Sequence, residues 1–584
     1  MLNHCNFLCS VKKNLQMKKY ILLITYLFIS PFYIFAQVKY YSDPLKIPIL
    51  LSGSFAELRN NHFHSGIDIK TQGVTGIPVY SVADGYISRI VVSPSGFGRA
   101  VYIAHTNGTT SVYGHLSRFR GDIQRYIKNI QYQRKSFRID IQISGNTFPV
   151  SKDDLIGYSG NTGSSGGPHL HFEIRDSYTQ ETLNPLKYNF SVKDNTPPEI
   201  FSLMITPVGP DSHVEFTSDK KVYPVIFSDG GYRVKKPVIP VFGKIGFAVQ
   251  VNDFFDGSGN KCGVYSIELT IDDELYYAFQ MDRFSFIETR YLNSHIDYEE
   301  YITSKRRYHK TWLDQGNRLG IYQYVRGNGL SYMNDGKSHD IRIEIGDIHG
   351  NTSILSFSVK SIFSQIAHAE NNFSKLIRYN QKNSFFADSI LIKFPKESIY
   401  KDLKFMYKKN SVQQKCISGI HVVHEKTVPL HKRVKLSIQT RPLKKILHSK
   451  ALLVNVDTVT GDLSAVGGYY KNGWVTGYTR TFGNFAVAVD TVPPEIVPLN
   501  IRNKSELTEY SRICFRIKDK LSGISSFEGV LDGKWALFEY DAKSNLLIHY
   551  FDEERFEMNK MHDLKLTVTD LKGNISIYEA SFRK

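Results

Sequence analysis

Cysteine is scarce in this 584-residue sequence, and the few that occur are widely spaced. Two of the five precede residue 10, and the other three are Cys262, Cys416 and Cys514. This number and this spacing exclude a disulfide framework and a cysteine-bound metal site. We therefore expect the three later cysteines to be buried free thiols.

Acidic residues are outnumbered by basic ones, 56 against 73, which gives a formal net charge of +17. The basic residues are scattered and no nucleic-acid-binding module occurs, so nucleic acid is not an expected partner. A positive charge draws a secreted protein to anionic polymers of the cell envelope, although a generally solvated surface is the simpler interpretation.

A long apolar run occurs only near the N-terminus. Four lysines within residues 12–19 precede the apolar run 20–35, and Ala36 then offers a small residue. This pattern predicts a secretory signal peptide over residues 1–36. Met17 also begins a compact signal by itself, so the sequence leaves open whether translation starts at Met1 or at Met17. A transmembrane anchor is the alternative, but the run is shorter than the ~20 residues of a membrane span and contains Pro31. We expect secretion to the periplasm or cell envelope, with no stable span after cleavage.

Evenly spaced histidines carry the strongest chemical signal. His169 and His171 follow a glycine-rich run and begin a predicted strand, on which side chains two apart point the same way. His64 and Asp68 are also evenly spaced, so an extended segment would place a nitrogen and a carboxylate oxygen on one side. Three nitrogen and oxygen ligands plus a water molecule are how a catalytic zinc is held.

Five blocks of sequence closely resemble, in order, the signature blocks of the lysostaphin/LytM-type zinc peptidases. They are Phe63-His-Ser-Gly-Ile-Asp-Ile69, Ser81-Val-Ala-Asp-Gly-Tyr-Ile87, Gly96-Phe-Gly-Arg-Ala-Val-Tyr-Ile-Ala-His105, Tyr113-Gly-His-Leu116 and Gly160-Asn-Thr-Gly-Ser-Ser-Gly-Gly-Pro-His-Leu-His-Phe-Glu173. The resemblance spans residues 49–185, about a quarter of the chain. It implies a small antiparallel β-domain with a groove across the sheet and one zinc ion per chain in the floor of the groove.

The same resemblance implies roles for five residues. His64, Asp68 and His171 match the three zinc ligands, and His115 and His169 match the two non-ligand catalytic histidines. We expect His62 and His105, which lie in or beside these blocks, to have structural or supporting roles, because the ligand count is already filled.

Peptide hydrolysis by such a site needs proton transfer as well as a metal. Zinc lowers the pKa of its bound water to about 7 and polarises the scissile carbonyl. No His-Glu-x-x-His motif supplies a glutamate base, so the two spare histidines, with an ordinary pKa near ~6.5, are the available acid and base. Which of them is the base stays open at this point.

Two function classes follow. The first is a secreted zinc-dependent endopeptidase that hydrolyses peptide crosslinks of bacterial peptidoglycan. The second is a non-catalytic envelope-binding or regulatory protein whose groove only binds cell-wall peptides. The complete set of five polar residues favours the enzyme, but the sequence does not distinguish a peptidoglycan target from a protein.

Beyond the peptidase, one segment is repeated. Asp194-Asn-Thr-Pro-Pro-Glu-Ile200 recurs as Asp490-Thr-Val-Pro-Pro-Glu-Ile496, and each copy later reaches an Asp-x-x-Gly-Asn turn between two alternating strands, a hairpin signature. We interpret the copies as immunoglobulin-like sandwiches. The predicted fold class is therefore all-β dominated, an antiparallel β-sheet peptidase domain with a zinc groove followed by β-sandwiches. The predicted boundaries are 1–36 for the signal peptide, 37–193 for the peptidase, 194–360 and 490–584 for the immunoglobulin-like domains, and 361–489 for another β-sandwich.

Several local features give narrower expectations. Residues 195–198, Asn-Thr-Pro-Pro, form a stiff connector of the kind that separates autonomous domains. The insertion 121–152 carries apolar residues at helical spacing, so we expect a helix that either walls the groove or is a surface excursion. The aromatic-rich segment 469–482 would stack on carbohydrate or, more simply, alternate core aromatics with outward polar residues. Gly157, Gly160, Gly163, Gly166 and Gly167 would allow the positive φ and close backbone approach of a tight loop beside a groove, although ordinary turn chemistry between two strands is the favoured interpretation at any single glycine.

Overall fold

The computed structural model describes residues 40–145, 147–366, 372–412, 415–552 and 554–584. The predicted signal peptide, 1–36, lies outside these ranges. Nearly all regular structure within them is β-strand, which confirms the predicted all-β-dominated class. None of the helices in these ranges is both long and apolar enough for a membrane span.

The first part of the chain forms one large antiparallel sheet and one small one. The large sheet has the order β1-β2-β11-β6-β5-β4-β8, and β3, β10 and β7 form the small sheet. The single long helix, α1, spans Gly121–Arg134. The strands are β1 Leu51–Gly53, β2 Ile67–Lys70, β3 Pro78–Tyr80, β4 Gly85–Val92, β5 Arg99–His105, β6 Thr109–Gly114, β7 Arg118–Phe119, β8 Ile139–Gln142, β9 Pro149–Val150, β10 Leu155–Tyr158, β11 His169–Asp176 and β12 Thr182–Leu183.

The register of the large sheet brings the candidate site residues together. Strand β11 lies between β2 and β6, so His171 is directly opposite Asp68 on one side and Gly114 on the other. Directly opposed residues in an antiparallel pair have Cβ atoms about 4.5–5.5 Å apart. Because His115 follows Gly114, the sheet delivers three of the five predicted residues to one place.

The first repeated segment forms a twelve-stranded sheet system. Two short helices, α2 Leu292–His295 and α3 Tyr298–Ser304, are inserted in it. Its twelve strands are β13 Glu199–Pro207, β14 His213–Val214, β15 Lys221–Ser228, β16 Gly231–Val234, β17 Ile239–Asn252, β18 Ser266–Ile271, β19 Glu274–Gln280, β21 His309–Lys310, β22 Tyr322–Val325, β23 Ser331–Met333, β24 Ser338–Gly346 and β25 Thr352–Ser361. One more strand of this segment, β20 Arg283–Phe284, belongs to the large sheet of the first part of the chain.

Two five-stranded sheets and a two-stranded sheet form the middle segment. In its aromatic-rich stretch Phe482 is buried, whereas Tyr469 and Tyr478 are exposed. The strands are β26 Lys375–Ile377, β27 Asn383–Ala387, β28 Ile390–Phe394, β29 Leu403–Phe405, β30 Tyr407–Val412, β31 Gly419–Val423, β32 Val434–Gln439, β33 Ala451–Val456, β34 Leu463–Gly467, β35 Tyr469–Lys471, β36 Trp474–Thr479 and β37 Gly483–Val489.

A four-stranded and a five-stranded sheet form the last segment. Both predicted hairpins are confirmed, since β24 pairs with β25 and β45 pairs with β46 across their Asp-x-x-Gly-Asn turns. The strands are β38 Glu495–Pro498, β39 Ser505–Glu506, β40 Arg512–Lys518, β41 Ile524–Leu531, β42 Lys534–Ala536, β43 Glu539–Asp541, β44 Leu546–Tyr550, β45 Met561–Asp570 and β46 Ile575–Arg583. Short 3-10 helices occur at Pro185–Tyr188, Thr289–Tyr291, Gly327–Gly329 and Lys445–Leu447.

The peptidase segment shares core and sheet with the segment that follows it. Phe55 and Phe63 pack against Phe284, with ring centroids 5.2 and 5.5 Å apart. Strand β20 pairs with β12 and so extends the peptidase sheet. The stiff connector therefore joins two segments that are closely packed on each other.

Helix α1 is confirmed, and it packs between two segments. Ile123 and Ile127 are buried against the peptidase sheets. On its other side, the Tyr132 ring packs edge-on against Trp535 with centroids 5.3 Å apart, and Lys128 pairs with Asp552 at 2.5 Å. The helix thus contacts the last segment of the chain, a role that neither sequence-based alternative included.

The three later cysteines are free thiols. Cys262 and Cys416 are buried, as expected. Cys514 is only half-buried, because it lies on β40, whose side chains alternate between core and surface.

Candidate metal centre and active site

Three side chains converge on one buried point at the centre of the large sheet. His64 Nε2 lies 3.0 Å from Asp68 Oδ1 and 3.1 Å from His171 Nδ1, and the last two atoms are 2.9 Å apart. All three residues are at most 5% exposed. The predicted metal trio is thus brought together as two nitrogens and one oxygen, a donor set suited to a metal ion.

Each histidine of the trio is oriented by its other ring nitrogen. His64 Nδ1 donates to the backbone carbonyl of Ser54 at 2.7 Å, which leaves Nε2 as the inward-facing acceptor. His171 Nε2 lies 2.9 Å from Glu173 Oε1, which leaves Nδ1 facing inward. Partners of this kind fix the tautomer and the ring orientation of a metal-binding histidine.

Glu173 is a functional residue that the sequence interpretation did not assign. It is fully buried and accepts hydrogen bonds from Ser65 Oγ and, at 2.6 Å, from Arg175 Nε. Burial by itself would raise the pKa of Glu173, but Arg175 and His171 lower it to about 2. The signal was present in the sequence, because residues 169, 171 and 173 alternate on one face of a strand.

The second oxygen of Asp68 is held by an arginine that sequence reasoning also missed. Arg59 Nη2 donates to Asp68 Oδ2 at 2.7 Å and to Glu57 Oε2 at 3.1 Å. Asp68 therefore presents only Oδ1 to the centre. A side chain at Gly53 would place its Cβ within 2.9 Å of both Asp68 and Arg59, so it would push these two side chains from their present positions.

The electrostatics of the trio favour a cation. Burial would raise the pKa of Asp68, but the surrounding histidines His64, His169 and His171 hold it well below its usual value. Burial would likewise lower the pKa of His171, but Asp68 and Glu173 raise it to about 9. Both shifts show that the carboxylates of Asp68 and Glu173 make the buried centre favourable for positive charge, and a metal ion would take the place of the proton on His171.

The two predicted catalytic histidines stand beside the trio. Their ring centroids are 4.8 Å apart, and His169 Nε2 lies 3.4 Å from Asp68 Oδ1. His115 Nδ1 donates to the carbonyl of Thr162 at 2.8 Å, and His169 Nδ1 to that of Gly167 at 2.8 Å. Each ring therefore has its acceptor at Nε2, and in His169 this atom faces Asp68 Oδ1.

His115 is held in a constrained position. Its backbone φ is 59°, in the left-handed region that few non-glycine residues adopt. Burial, with the neighbouring His171 and His169, lowers its pKa to about 3. Strained backbone of this sort is concentrated at functional sites.

The backbone conformation of the glycine-rich loop agrees only in part with the positive φ and close backbone approach considered for its glycines. Gly163 has φ +71° and abuts the backbone of Gly98, so it needs to be glycine. Positive φ does not occur at Gly157, Gly160, Gly166 and Gly167. Close approach holds at Gly157 and Gly160, whereas a Cβ at Gly166 or Gly167 would meet nothing within 4 Å.

Two further histidines lie away from the centre. His105 is hydrogen-bonded to the carbonyl of Asp84 at 2.9 Å and to Ser111 Oγ at 2.7 Å, and His62 to the carbonyl of Asn60 at 2.8 Å. Neither belongs to the trio, which agrees with the structural roles expected for them.

A groove of about 630 Å³ opens beside the trio. Both acidic and basic side chains reach it, and the glycine-rich loop forms one wall. It is lined by Ser52, Glu57, Arg59, Asp68, Lys70, Gln72, Gly73, Gly166, Gly167, Pro168 and His169. An extended peptide laid in this groove would pass His169 and the metal-facing side of Asp68.

Comparison with known families gives two matches within the chain. Residues 62–131 match the model of Peptidase family M23, a range that includes His64, Asp68 and His115. Residues 374–490 match the model of a Zu5-like domain.

Curated proteins and solved structures also resemble the first part of the chain. A DD-carboxypeptidase/endopeptidase Mpg from Neisseria meningitidis is 37% identical over 123 residues, 21% of this chain and 22% of that protein. The peptidoglycan DD-endopeptidase ShyA from Vibrio cholerae is 30% identical over 134 residues, 23% of this chain and 25% of that protein. The chain thus matches about a quarter of the length of these relatives.

Among solved structures, the catalytic domain of a point mutant of the prophage-encoded M23 protein EnpA from Enterococcus faecalis is similar to 26% of this chain. The match covers 98% of that domain at 24% identity, with a TM-score of 0.20. From the family match and the two curated relatives, we conclude that residues 62–131 of this chain belong to a Peptidase family M23 domain, similar in sequence to a DD-carboxypeptidase/endopeptidase and to a peptidoglycan DD-endopeptidase.

Proposed function

We propose that this protein is a zinc-dependent endopeptidase that hydrolyses peptide crosslinks of bacterial peptidoglycan. The observation that carries the proposal is the convergence of His64, Asp68 and His171 on one point beside the groove, with two further histidines next to them. A centre that only bound peptides would not need this complete set of metal-ligating and proton-transferring groups.

The donor set supports zinc. Two imidazole nitrogens and one carboxylate oxygen are a common ligand set of catalytic zinc, and ligands on one tetrahedral zinc lie about 3.3 Å apart. The three atoms are 2.9–3.1 Å apart, so a small expansion accommodates the ion. When bound, zinc would activate a water molecule and polarise the scissile carbonyl.

His115 and His169 would handle the protons. Because both rings donate from Nδ1 to a backbone carbonyl, each keeps Nε2 to accept a proton from water or return one to the leaving amine. Arg59 would keep Asp68 Oδ2 out of the reaction space. The buried Glu173 would hold His171 in its ligating orientation.

The names of two relatives support the substrate and the compartment. They are a DD-carboxypeptidase/endopeptidase and a peptidoglycan DD-endopeptidase, and both match the catalytic part of the chain. Peptidoglycan lies in the cell envelope, so we infer that the protein acts there, exported by the predicted signal over residues 1–36. Its partners would be peptidoglycan or cell-wall peptides.

Metal analysis and digestion of crosslinked muropeptides test the proposal together. The wild type should carry one zinc per chain, and replacement of His64, Asp68 or His171 by alanine should abolish zinc binding. His115→Ala and His169→Ala should keep zinc but lose about 10²–10⁴-fold in hydrolysis rate. His62→Ala is the matched control and should keep both properties. Full zinc occupancy in all three ligand variants, or metal loss in the other two, would refute these assignments.

A further inference from the structure

Each repeated segment contains three aspartates at equivalent positions. In the first repeat, Asp194 precedes β13, Asp253 follows β17 and Asp347 follows β24. One carboxylate oxygen of each lies within 4.8 Å of the others, and all three residues are buried. We call this group the aspartate cluster. It lies in the repeat that follows the peptidase and contains none of the five predicted catalytic-centre residues.

Two oxygens of the aspartate cluster are unsatisfied. Among the described residues, Asp194 Oδ2 and Asp253 Oδ1 have no hydrogen-bond partner. Asp253 is only 2% exposed, so solvent does not compensate its charge. Buried charged groups are normally paired or coordinate a metal, because an unpaired buried charge is strongly unfavourable.

The neighbouring groups neutralise the cluster only in part, through the ion pair between His349 and Asp194. Asp347 is already satisfied, since its Oδ1 accepts from the backbone of His349 and Asn351 and its Oδ2 from the Asn351 side chain. The His349 ring also faces the cluster, but its Nδ1 is 3.6 Å from Asp194 Oδ2. Burial, followed by repulsion from Asp194 and Asp347, raises the pKa of Asp253 to about 8.

In the second repeat, a backbone N–H group and a lysine compensate the equivalent three aspartates. There the backbone N–H of Ser522 donates to Asp490 Oδ2 at 3.0 Å. Lys572 occupies the position equivalent to His349. Lys572 brings a positive charge close to two of the three carboxylates. None of the described oxygens of this second trio is buried without a partner. Its members are Asp490, Asp519 and Asp570.

We propose that Asp194, Asp253 and Asp347 bind one calcium ion. An all-oxygen, carboxylate-rich donor set selects hard cations, and calcium takes six to eight oxygens at about 2.3–2.6 Å, so oxygens that share an ion are at most about 5 Å apart. The 4.8 Å limit of the cluster satisfies this condition. Magnesium requires a tighter octahedron and keeps several waters, and zinc favours nitrogen and sulfur ligands.

The ion would join three separate parts of the chain. Asp194 is the residue that opens the connector after the peptidase segment, and the connector is also held by hydrogen bonds from Asn195 to Asp256 at 2.7 and 3.1 Å. Asp253 directly follows the long strand β17, and Asp347 begins the β24–β25 turn. Calcium would therefore fix the exit of the peptidase segment to the sheet of the first repeat.

The test is a calcium titration of the full-length protein. The chain is freed of metals on a chelating resin, reloaded with one equivalent of zinc, and titrated with calcium by calorimetry and by thermal unfolding. We expect one calcium per chain and a rise of roughly 5 °C or more in the unfolding midpoint at 100-fold excess over Kd. Asp253→Asn should abolish both effects. In the absence of calcium this variant should melt no lower than the wild type, because asparagine keeps the shape of the side chain and adds no charge to the buried cluster.

Two controls separate this site from the others. Asp519→Asn, the equivalent change in the second repeat, should keep the calcium response. Asp68→Asn, which changes the peptidase trio, should also keep it, so the result does not depend on the proposed enzymatic function. No response up to about 10 mM calcium, well above the affinities of extracellular calcium modules, would overturn the proposal. An undiminished response in Asp253→Asn, or tighter binding of magnesium than of calcium, would do the same.

Discussion

At the scale of single residues, the metal trio depends on side chains that do not face the metal position. Glu173 holds His171, Arg59 holds Asp68, and the carbonyl of Ser54 holds His64. Loss of such a supporting partner typically weakens metal binding by about 10–100-fold. The geometry of the centre therefore depends both on His64, Asp68 and His171 and on the groups that hydrogen-bond to them.

Glu173→Gln should weaken zinc binding by about 10–100-fold while the protein remains folded. The change removes the negative charge that fixes the His171 ring and leaves Arg175 without its carboxylate partner. Competition with a chromophoric zinc chelator measures the effect. Glu181→Gln, the same change at a half-buried position of the same segment, is the control and should bind zinc like the wild type. Equal affinities in the two variants would show that Glu173 does not orient the ligand.

The convergence of His64, Asp68 and His171 could be predicted from the sequence, but the residues that support them could not. The signature blocks single out these three residues without knowledge of the fold, although His64 lies in the loop before β2 and not on a strand. Arg59 lies in no such pattern, and its contact with Asp68 uses the space that Gly53 leaves open at the end of β1. A contact that depends on how a loop returns to a sheet leaves no periodic trace in sequence.

At the scale of secondary-structure elements, two buried histidines in the first repeat have no part in the proposed catalysis. His295 ends helix α2 and His309 begins β21, and His295 Nε2 lies 3.0 Å from His309 Nδ1. Burial and the nearby Arg307 lower the pKa of His309 to about 4. Burial and the neighbouring His309 hold the pKa of His295 well below its usual value.

This pair should make the protein sensitive to mild acid. Both histidines are neutral in the folded state, whereas in the unfolded chain they bind protons below pH ~6.5. Their contribution to stability is therefore complete above pH ~6.5 and is lost as the pH falls toward about 4. For His309 alone the loss approaches about 3 kcal/mol. Denaturant unfolding at pH 7.5 and at pH 5.0 measures it, and His309→Gln should reduce the difference between the two.

His339→Gln is the control for this prediction. Burial would lower the pKa of His339, but Asp272 and Asp335 raise it, so its contribution to stability is present at low pH and is lost as the pH rises. Its replacement should therefore destabilise the protein more at pH 5.0 than at pH 7.5. A wild-type stability that does not change between the two pH values would contradict the assignment of a neutral histidine pair.

The helices and strands could be predicted from the sequence more reliably than the surfaces against which they pack. Helix α1 follows from the spacing of Ile123, Tyr126, Ile127 and Ile130, and both hairpins follow from alternation and turn residues. What the far side of α1 contacts was not predictable, because Trp535 lies about 400 residues away along the chain. Periodicity reports which face of an element is apolar, and it does not identify the surface that covers that face.

At the scale of the whole molecule, the last segment of the chain contacts the catalytic domain. Lys543 donates to the backbone carbonyls of Asn161 and Ser165 in the glycine-rich loop. Arg99, which begins β5, pairs with Glu539 at 2.6 Å. The same loop supplies the backbone carbonyls that orient His115 and His169. The last segment of the chain is therefore connected to the candidate active site through this loop.

The shared core leads to a different expectation for the isolated peptidase segment than the connector alone suggests. Residues 195–198 resemble a boundary between autonomous domains, yet Phe55 and Phe63 are buried against Phe284 of the next segment, and β20 extends the peptidase sheet. Exposure of two phenylalanines costs roughly 3–6 kcal/mol. That is a large fraction of the roughly 5–15 kcal/mol that stabilises a typical domain.

A fragment that ends at residue 193 should therefore be less stable than one that ends at residue 366, which keeps β20 and Phe284. Denaturant unfolding can be monitored through the release of bound zinc. The shorter fragment should unfold at a lower denaturant concentration, which corresponds to a free energy of unfolding lower by several kcal/mol. Phe63→Ala in the longer fragment is the matched control, because it should cause part of the same loss without shortening the chain. Equal stabilities of the two fragments would mean that the peptidase segment folds by itself and that its packing against the first repeat contributes little to its stability.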